Sequence, residues 1–265
     1  MSFTYTIYGK EGDQFSTASG QVLSLGTRMV MKDGRVYRYC KNGATALTAG
    51  RLTIVATAIA NSTMIHALYA AAAQNATSVK FNTTGSTGTF TASELKDGMI
   101  WFSATGATGQ AESHLIYKHV AWSTVTGTTI DIMLYPNDKI RNAWATSTGT
   151  ARLMKNKFRD VIVSAVGLGS GGALVGVPNT HIAANYYFWA QTWGPCPVEY
   201  DNLPTETLVV GQVVQASTET AGNVANRNSS GNSTSLAVLA APGIGSVISV
   251  GASTFQALVD LTIAP

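Results

Sequence analysis

The sequence predicts a mainly β protein of antiparallel, sandwich- or barrel-like sheets with one short helix at about residues 61–74. Short apolar and β-branched runs are separated by turn residues at close spacing, which is typical of all-β folds. Hydrophobic residues make up 45% of the 265 residues and charged residues only 12%. Disordered chains combine low hydrophobicity with high net charge, so this composition indicates a chain that buries a full core.

The strongest local signal is the dipeptide Asp33-Gly34, which separates the β-type runs 28–31 and 36–39. Asp-Gly and Asn-Gly adopt positive φ at little cost, as two-residue hairpin turns require. Asn42-Gly43 follows nine residues later and predicts a second turn of this kind.

The predicted helix rests on local signals alone. Residues 61–63 are Asn-Ser-Thr and offer N-caps, and residues 70–73 are alanines with high helix propensity. One apolar face at helical spacing would be formed by Met64, Ile65, Leu68 and Ala72.

Further strands are predicted within residues 79–132 and 159–166. An aromatic strand follows at 186–193, and Gly194-Pro195-Cys196-Pro197 is expected to break it. This order suggests an extended N-terminal arm at 1–24, a β-rich domain with the helix at 25–175 and a second β-rich segment at 176–265. A single domain is the alternative.

The aromatic strand has large side chains on both faces. Tyr187, Trp189 and Trp193 alternate with Tyr186 and Phe188, so the two groups point to opposite sides. Burial in the core is the favoured interpretation. An exposed aromatic row that stacks on sugars is the alternative, and it would make the protein a sugar-binding host-attachment module.

Motifs for cofactor or metal chemistry lack the context that they need. Gly167–Gly172 fits the pattern G-x-G-x-x-G, but the segment 173–178 ends in proline and predicts no helix to hold a pyrophosphate. His114 and His119 are five residues apart on a predicted strand and would face opposite sides. We therefore expect no cofactor and no metal site.

Catalytic signatures are equally weak. The sequence contains no Gly-x-Ser-x-Gly motif. Glu199 and Asp201 would share one strand face and could serve glycoside hydrolysis, bind a cation or face solvent. We expect no catalytic residues and no enzymatic activity.

The cysteines and the apolar segments of the sequence indicate the cellular compartment in which the chain is expected to fold. Cys40 and Cys196 are expected to be free, buried thiols, as in proteins that assemble in a reducing cytoplasm. The N-terminal residues do not resemble a secretory signal, and no apolar run is long enough for a membrane span.

Basic residues cluster in two stretches, 28–51 and 139–159, although the net charge is only +3, which is too small to indicate a nucleic-acid partner. The clusters are either solvated strand faces or a surface that docks on an acidic protein. Arg and Tyr are favoured at interfaces. The predicted interface residues are Arg28, Lys32, Arg35, Tyr37, Arg38, Tyr39 and Lys41.

An ordered set of short motifs resembles tailed-bacteriophage capsid decoration (cement) or virion structural proteins. The motifs lie at 25–27, 33–39, 41–44, 47–50, 96–98, 187–191, 194–195, 211–214 and 221–222. The resemblance implies a structural protein that is made in the host bacterial cytoplasm and lies on the capsid surface of the virion. It would contact the major capsid protein and copies of itself, often as a trimer. A tail or fibre-base component is the alternative.

Overall fold

The computed structural model describes residues 6–55, 66–82, 94–104, 111–119, 129–146, 149–166, 172–201, 208–227, 243–251 and 256–265. These residues form seventeen strands and one 3-10 turn at Asp13–Phe15. The strands are β1 (Thr6–Tyr8), β2 (Arg28–Val30), β3 (Val36–Lys41), β4 (Thr53–Ile54), β5 (His66–Ala67), β6 (Ser78–Asn82), β7 (Met99–Ala104), β8 (Ala111–His119), β9 (Thr129–Leu134), β10 (Gly149–Met154), β11 (Ile162–Val163), β12 (Leu174–Pro178), β13 (Tyr187–Glu199), β14 (Val213–Ala216), β15 (Val224–Asn226), β16 (Gly245–Val250) and β17 (Gln256–Thr262). The prediction of a mainly β protein with multi-stranded sheets is confirmed.

The chain divides into two compact units. Unit 1 comprises Met1–Ala56 and Lys157–Pro265, and unit 2 comprises Thr57–Asn156. This division differs from the predicted domains at 25–175 and 176–265. The reason is long-range pairing, because β13 pairs with β3 on one side and with β17 on the other and so joins distant segments of the chain.

The predicted N-terminal arm, residues 1–24, is part of unit 1 where it is described. Strand β1 pairs in parallel with β2, and Ala18 forms an antiparallel bridge with Tyr187. Gln14, which lies between β1 and Ala18 in the sequence, is also buried. Residues 6–24 therefore pack against their own unit.

The hairpin predicted at Asp33-Gly34 is confirmed. Strands β2 and β3 pair antiparallel around this turn, and Gly34 has a φ of +91°. The turn predicted at Asn42-Gly43 is wrong. Asn42 is buried and forms a bridge with Val161, and its side-chain amide donates hydrogen bonds of 2.9 Å to the carbonyls of Thr45 and Ala183.

Strand β13 is 13 residues long and runs through Gly194-Pro195-Cys196-Pro197, so the predicted break is wrong. A register shift between Gln191 and Trp193 marks a bulge, and Gly194 has a φ of +83°. The bulge is held by the buried amide of Gln191, which donates a 2.8 Å hydrogen bond to the carbonyl of Pro195 and a 3.2 Å bond to that of Gly194. Pairing with β3 stops at Trp193, and the prolines lie beyond it.

Unit 1 contains an eleven-stranded sheet with the order β1-β2-β3-β13-β17-β16-β14-β15, which β4, β11 and β12 extend. Two apolar clusters pack in this unit. One is rich in aromatic residues around Tyr37, Tyr39 and Phe188. The other is mainly aliphatic around Val198, Val214 and Val259.

Unit 2 contains a six-stranded sheet with the order β5-β10-β7-β8-β9-β6. The two ends of this order meet, because Leu68 bridges Phe81 and the amide of Tyr69 donates a 3.0 Å hydrogen bond to the carbonyl of Lys80. The sheet thus closes on itself around a core of buried side chains. That core includes Phe81, Ile100, Phe102, Ile116, Ile130, Ile132, Trp144 and Leu153.

The predicted helix at 61–74 is wrong for its described part, residues 66–74, and residues 61–65 lie outside the described residues. His66–Ala67 is strand β5, and Ala72 forms an antiparallel bridge with Trp144. Pairing with distant strands therefore outweighs the helix propensity of the alanines. The described part of the chain holds no helix with the length and hydropathy of a bilayer span.

Candidate interaction surface

Two of the predicted interface residues, Tyr37 and Tyr39, face the core of unit 1, so their prediction as accessible contact residues is wrong. Tyr37 is 0% exposed and Tyr39 is 5% exposed. Burial raises the pKa of Tyr37 to about 12. The Tyr39 ring contacts Trp189 at a centroid distance of 5.1 Å and stacks on Tyr187 at 5.8 Å.

Two further residues of the set are neutralised inside the chain. Arg35 forms ion pairs of 2.6 Å with Glu11 and 2.5 Å with Asp33. Partial burial works against the charged form, but the hydrogen bond and charge of Asp33 hold the pKa of Arg35 above its usual value. Lys41 lies 3.3 Å from a carboxylate oxygen of Asp160.

Among the described residues, no Asp or Glu side chain forms an ion pair with the remaining three residues, Arg28, Lys32 and Arg38, although Arg38 Nη2 lies 3.0 Å from an oxygen of Pro265. Lys32 is exposed near the hairpin turn. Arg28 and Arg38 are partly buried and lie directly opposite each other on β2 and β3. The structure therefore retains part of the predicted basic site and reduces it to this hairpin.

The second basic stretch, 139–159, is divided between the two units, and its members differ in exposure. Lys139 and Arg141 are exposed, whereas Lys155 pairs with Glu94 and Arg159 is buried. Only one of its members joins an exposed apolar area, as described next.

A surface that the sequence analysis missed lies on the solvent side of the closed sheet in unit 2. Met154, Met99 and Leu115 are in register on β10, β7 and β8 and are 41%, 37% and 38% exposed. Two residues along β7, on the same side of the sheet, Trp101 lies between Arg152 and Ser113, with the Arg152 guanidinium 5.9 Å from the ring centroid.

Tyr117 extends this surface along β8. It is 43% exposed and meets Tyr135 edge to face at 5.4 Å. We call the set the solvent face of unit 2 and define it as Met99, Trp101, Leu115, Tyr117, Arg152 and Met154. The alternation of β7 carried a signal for it, because Met99 and Trp101 alternate with the core residues Ile100 and Phe102. Because β7 has apolar residues on both sides, it lacks the alternation of polar and apolar residues that would have distinguished the exposed side from the core side.

The aromatic strand at 186–193 is mainly a core element, as favoured from the sequence. Tyr187, Phe188 and Trp189 are buried, whereas Tyr186 and Trp193 are partly exposed. A continuous exposed row for sugar stacking is therefore not formed by these residues.

The predicted carboxylate pair is separated by its partners. Glu199 accepts a 2.8 Å hydrogen bond from Arg51 Nε. Asp201 is buried and accepts hydrogen bonds from Ser217 and, at 3.0 Å, from Asn223. Both carboxylates thus hold neighbouring segments of unit 1 together.

His114 points into the core of unit 2. Its Nδ1 lies 2.8 Å from Asp138 Oδ1, and its Nε2 lies 3.6 Å from Glu112 Oε2. Glu112 also accepts hydrogen bonds from Trp144 Nε1 and from the backbone of Arg141. The side chain of His119 is not described. Among the described residues, no group of His, Cys, Asp and Glu is arranged to hold a metal ion.

Cys40 and Cys196 are free and buried, as expected from the sequence. Burial raises the pKa of both thiols. Of the glycine-rich motif, residues 167–171 lie outside the described residues. The chain that follows Gly172 enters strand β12, which confirms that no helix follows the motif.

Comparisons of the chain with family models, curated proteins and solved structures give no match.

Proposed function

We propose that this chain is a structural virion protein that binds the outer surface of a phage capsid and stabilises contacts between shell subunits. The solvent face of unit 2 is the observation that carries the proposal. Met, Trp, Tyr and Arg are the residue types enriched at protein interfaces, and all of them occur on this face. Hot-spot residues at interfaces are drawn largely from the same types.

The scaffold of this face also suits a cement role. Its strands belong to a closed sheet whose other side is a packed core, so the side chains are presented on rigid backbone. A rigid surface loses little conformational entropy when it docks. Many identical copies on a closed shell turn a modest contact into stable attachment through avidity.

The test mixes the purified chain with isolated heads and isolated tails and measures co-sedimentation. We expect the wild type to sediment with heads, and the double variant Met99→Lys, Leu115→Lys to bind at least about tenfold more weakly, because two buried apolar contacts are replaced by desolvated charges. Val22→Lys is the matched control, since Val22 is an exposed aliphatic residue of unit 1.

Two results would contradict the proposal. One is failure of the wild type to bind heads, and the other is binding of the double variant to heads as strong as that of the control. Binding to tails alone would favour the tail or fibre-base alternative. Sedimentation equilibrium of the isolated chain tests the expected symmetric oligomer.

A further inference from the structure

The second half of β13 and the facing strand β17 form a ladder in unit 1 with one side turned to solvent. Trp193 pairs with Thr262, and Pro195 pairs with Asp260. All four residues are exposed, and Trp193 is 37% exposed. Val259, which precedes Asp260, is completely buried in the aliphatic cluster. The ladder therefore alternates between core and solvent, and the four exposed side chains share the solvent side.

Trp193 and Thr262 stand close together on the two strands. The amide of Ile263 donates a 3.1 Å hydrogen bond to the carbonyl of Thr192, so the residues that flank the pair carry the ladder bond. In an antiparallel ladder this pattern makes Trp193 and Thr262 a non-hydrogen-bonded pair, in which side chains approach most closely.

The backbone that carries the Trp193 ring is fixed. The buried amide of Gln191 donates hydrogen bonds to the carbonyl of Trp193 at 3.2 Å and to that of Pro195 at 2.8 Å. The ring of Pro195 also locks its own φ angle. The arrangement of side chains thus exists before any ligand arrives, and binding to it loses little conformational entropy.

The four side chains divide into an apolar half and a polar half. The rings of Trp193 and Pro195 present carbon surface on β13, and Asp260 and Thr262 present oxygen atoms on β17. Diagonal neighbours such as Trp193 and Asp260 remain within reach of each other when one side chain is a large ring. The Thr262 hydroxyl lies 3.4 Å from the carbonyl of Ile244, to which it donates, so its lone pairs can accept a hydrogen bond.

We propose that Trp193, Pro195, Asp260 and Thr262 form a shallow binding site for one neutral sugar ring. A pyranose has the same division as the site, with C–H groups on a ring face and hydroxyl groups at the rim. The C–H face packs on the indole ring, which offers a large flat apolar surface. The sugar hydroxyls donate to the Asp260 carboxylate, and hydrogen bonds to an ionised acceptor are the stronger ones.

The charge of the site selects among sugars. Asp260 places a carboxylate at the polar half, and a like charge on the ligand would be repelled. Acidic sugars and phosphorylated ligands are therefore disfavoured, and neutral sugars are favoured.

The site holds a single ring and differs from the aromatic row considered from the sequence. Of the residues assigned to one face of that row, Tyr187 and Trp189 are buried and Trp193 is exposed. The inference goes beyond the proposed function, which concerns the solvent face of unit 2. Many copies on one shell would turn a weak sugar site into firm attachment to a neutral polysaccharide through avidity.

The test titrates the full chain with methyl β-D-galactopyranoside and follows the amide resonances of β17 by NMR. We expect saturable binding with a dissociation constant of roughly 1–10 mM, and Trp193→Ala should weaken it at least about fivefold, because the stacking surface is lost. Tyr186→Ala is the matched control, since Tyr186 is also 37% exposed and lies outside the site. It should bind the galactoside as the wild type does.

Asp260→Asn tests the polar half, because the amide keeps the shape of the side chain and removes its charge. In the wild type, methyl β-D-glucuronide should bind more weakly than its neutral counterpart, methyl β-D-glucopyranoside, and Asp260→Asn should abolish this difference. A merely structural role of Asp260 would leave the difference unchanged. Thermal unfolding checks that each variant is folded, and if Trp193→Ala does not fold, the charge selectivity of the exposed position 260 decides the question.

Three results would overturn the proposal. They are no shift in the wild type at roughly 50 mM galactoside, equal affinity in Trp193→Ala and Tyr186→Ala, and a preference for the glucuronide in the wild type. Loss of head binding in Trp193→Ala without any sugar binding in the wild type would instead assign this surface to a protein partner. Failure of the wild type to bind heads would count against the proposed function alone, because the sugar titration uses no phage particles.

Discussion

Tyr37 and Gln191 lie opposite each other on β3 and β13, and the Tyr37 hydroxyl donates a 3.1 Å hydrogen bond to Gln191 Oε1. Both residues are completely buried. Asn179 donates to both oxygens, at 3.1 Å to Tyr37 and 2.9 Å to Gln191. This polar network sits where β13 changes from pairing with β3 to pairing with β17. It therefore fixes the bulge on which the central strand of unit 1 depends.

Replacement of Gln191 by Leu should lower the free energy of unfolding by about 2–4 kcal/mol. The substitution removes the donor to the carbonyls of Gly194 and Pro195 and the acceptor of the Tyr37 hydroxyl proton, and a buried polar group that loses its partner costs about 1–3 kcal/mol. Urea unfolding followed by fluorescence measures the effect. Gln256→Leu, on the exposed side of β17, should change stability by less than about 0.5 kcal/mol. Equal effects of the two substitutions would contradict the assigned role.

Both cysteines should resist thiol reagents in the native protein. Cys40 and Cys196 are 0% exposed, and burial raises the pKa of each thiol, so the reactive thiolate is scarce and inaccessible. A colorimetric disulfide reagent at pH 8 should therefore react slowly with the folded chain and should release two equivalents after unfolding. Rapid reaction of either thiol in the folded state would show that the packing of unit 1 differs from that described.

Stability should fall at alkaline pH with a contribution from Tyr37. The folded-state pKa of Tyr37 is about 12 and the ordinary value is 10.0, so the native state holds this proton more tightly than the unfolded state. Its stabilising contribution is complete below pH 10 and is lost as the pH rises towards 12. Between pH 10 and 11.5, the free energy of unfolding should fall less steeply with pH in the Tyr37→Phe variant than in the wild type. The difference between the two slopes should correspond to at most one proton. Parallel declines in the two proteins would refute this linkage.

Phe102 should be a stability hot spot of unit 2. It is fully buried, and its ring lies 5.5 Å from that of Trp144 and 6.2 Å from that of Phe81. Phe102→Ala should destabilise the unit by about 3–5 kcal/mol, because it removes a large apolar group and leaves a cavity. Hydrogen exchange should show loss of protection in β6–β10. Thr150→Ala, a partly exposed position on β10, is the control and should leave protection nearly unchanged.

Local features were predictable from the sequence, and features that depend on distant strands were not. The Asp33-Gly34 hairpin follows from turn chemistry within a few residues, and the structure confirms it. Leu68 and Ala72 fit a helical face equally well, yet Leu68 bridges Phe81 on β6 and Ala72 bridges Trp144 in the segment before β10. No local pattern encodes those partners, so the helix prediction failed there.

The candidate site shows the same limit. The sequence analysis used residue types to assign one interface, which included Arg28, Arg38, Tyr37 and Tyr39. Strict alternation on β3 places Arg38 on one side and Tyr37 and Tyr39 on the other, and the tyrosines turn to the core. Glu11 and Asp33 pair with Arg35, and Asp160 pairs with Lys41, so these carboxylates decide which basic residues of the stretch are matched. Asp160 comes from a distant segment, and its pairing with Lys41 was not readable from the sequence.

The closure of the unit 2 sheet through Leu68 and Phe81 affects how copies of the chain can associate when their local concentration is high. Open sheet edges are templates on which further chains polymerise, and closure removes them. Along its described strands, this sheet offers no such template to a neighbouring copy. Copies of the chain can then meet at unit 2 through side chains, without adding strands to this sheet.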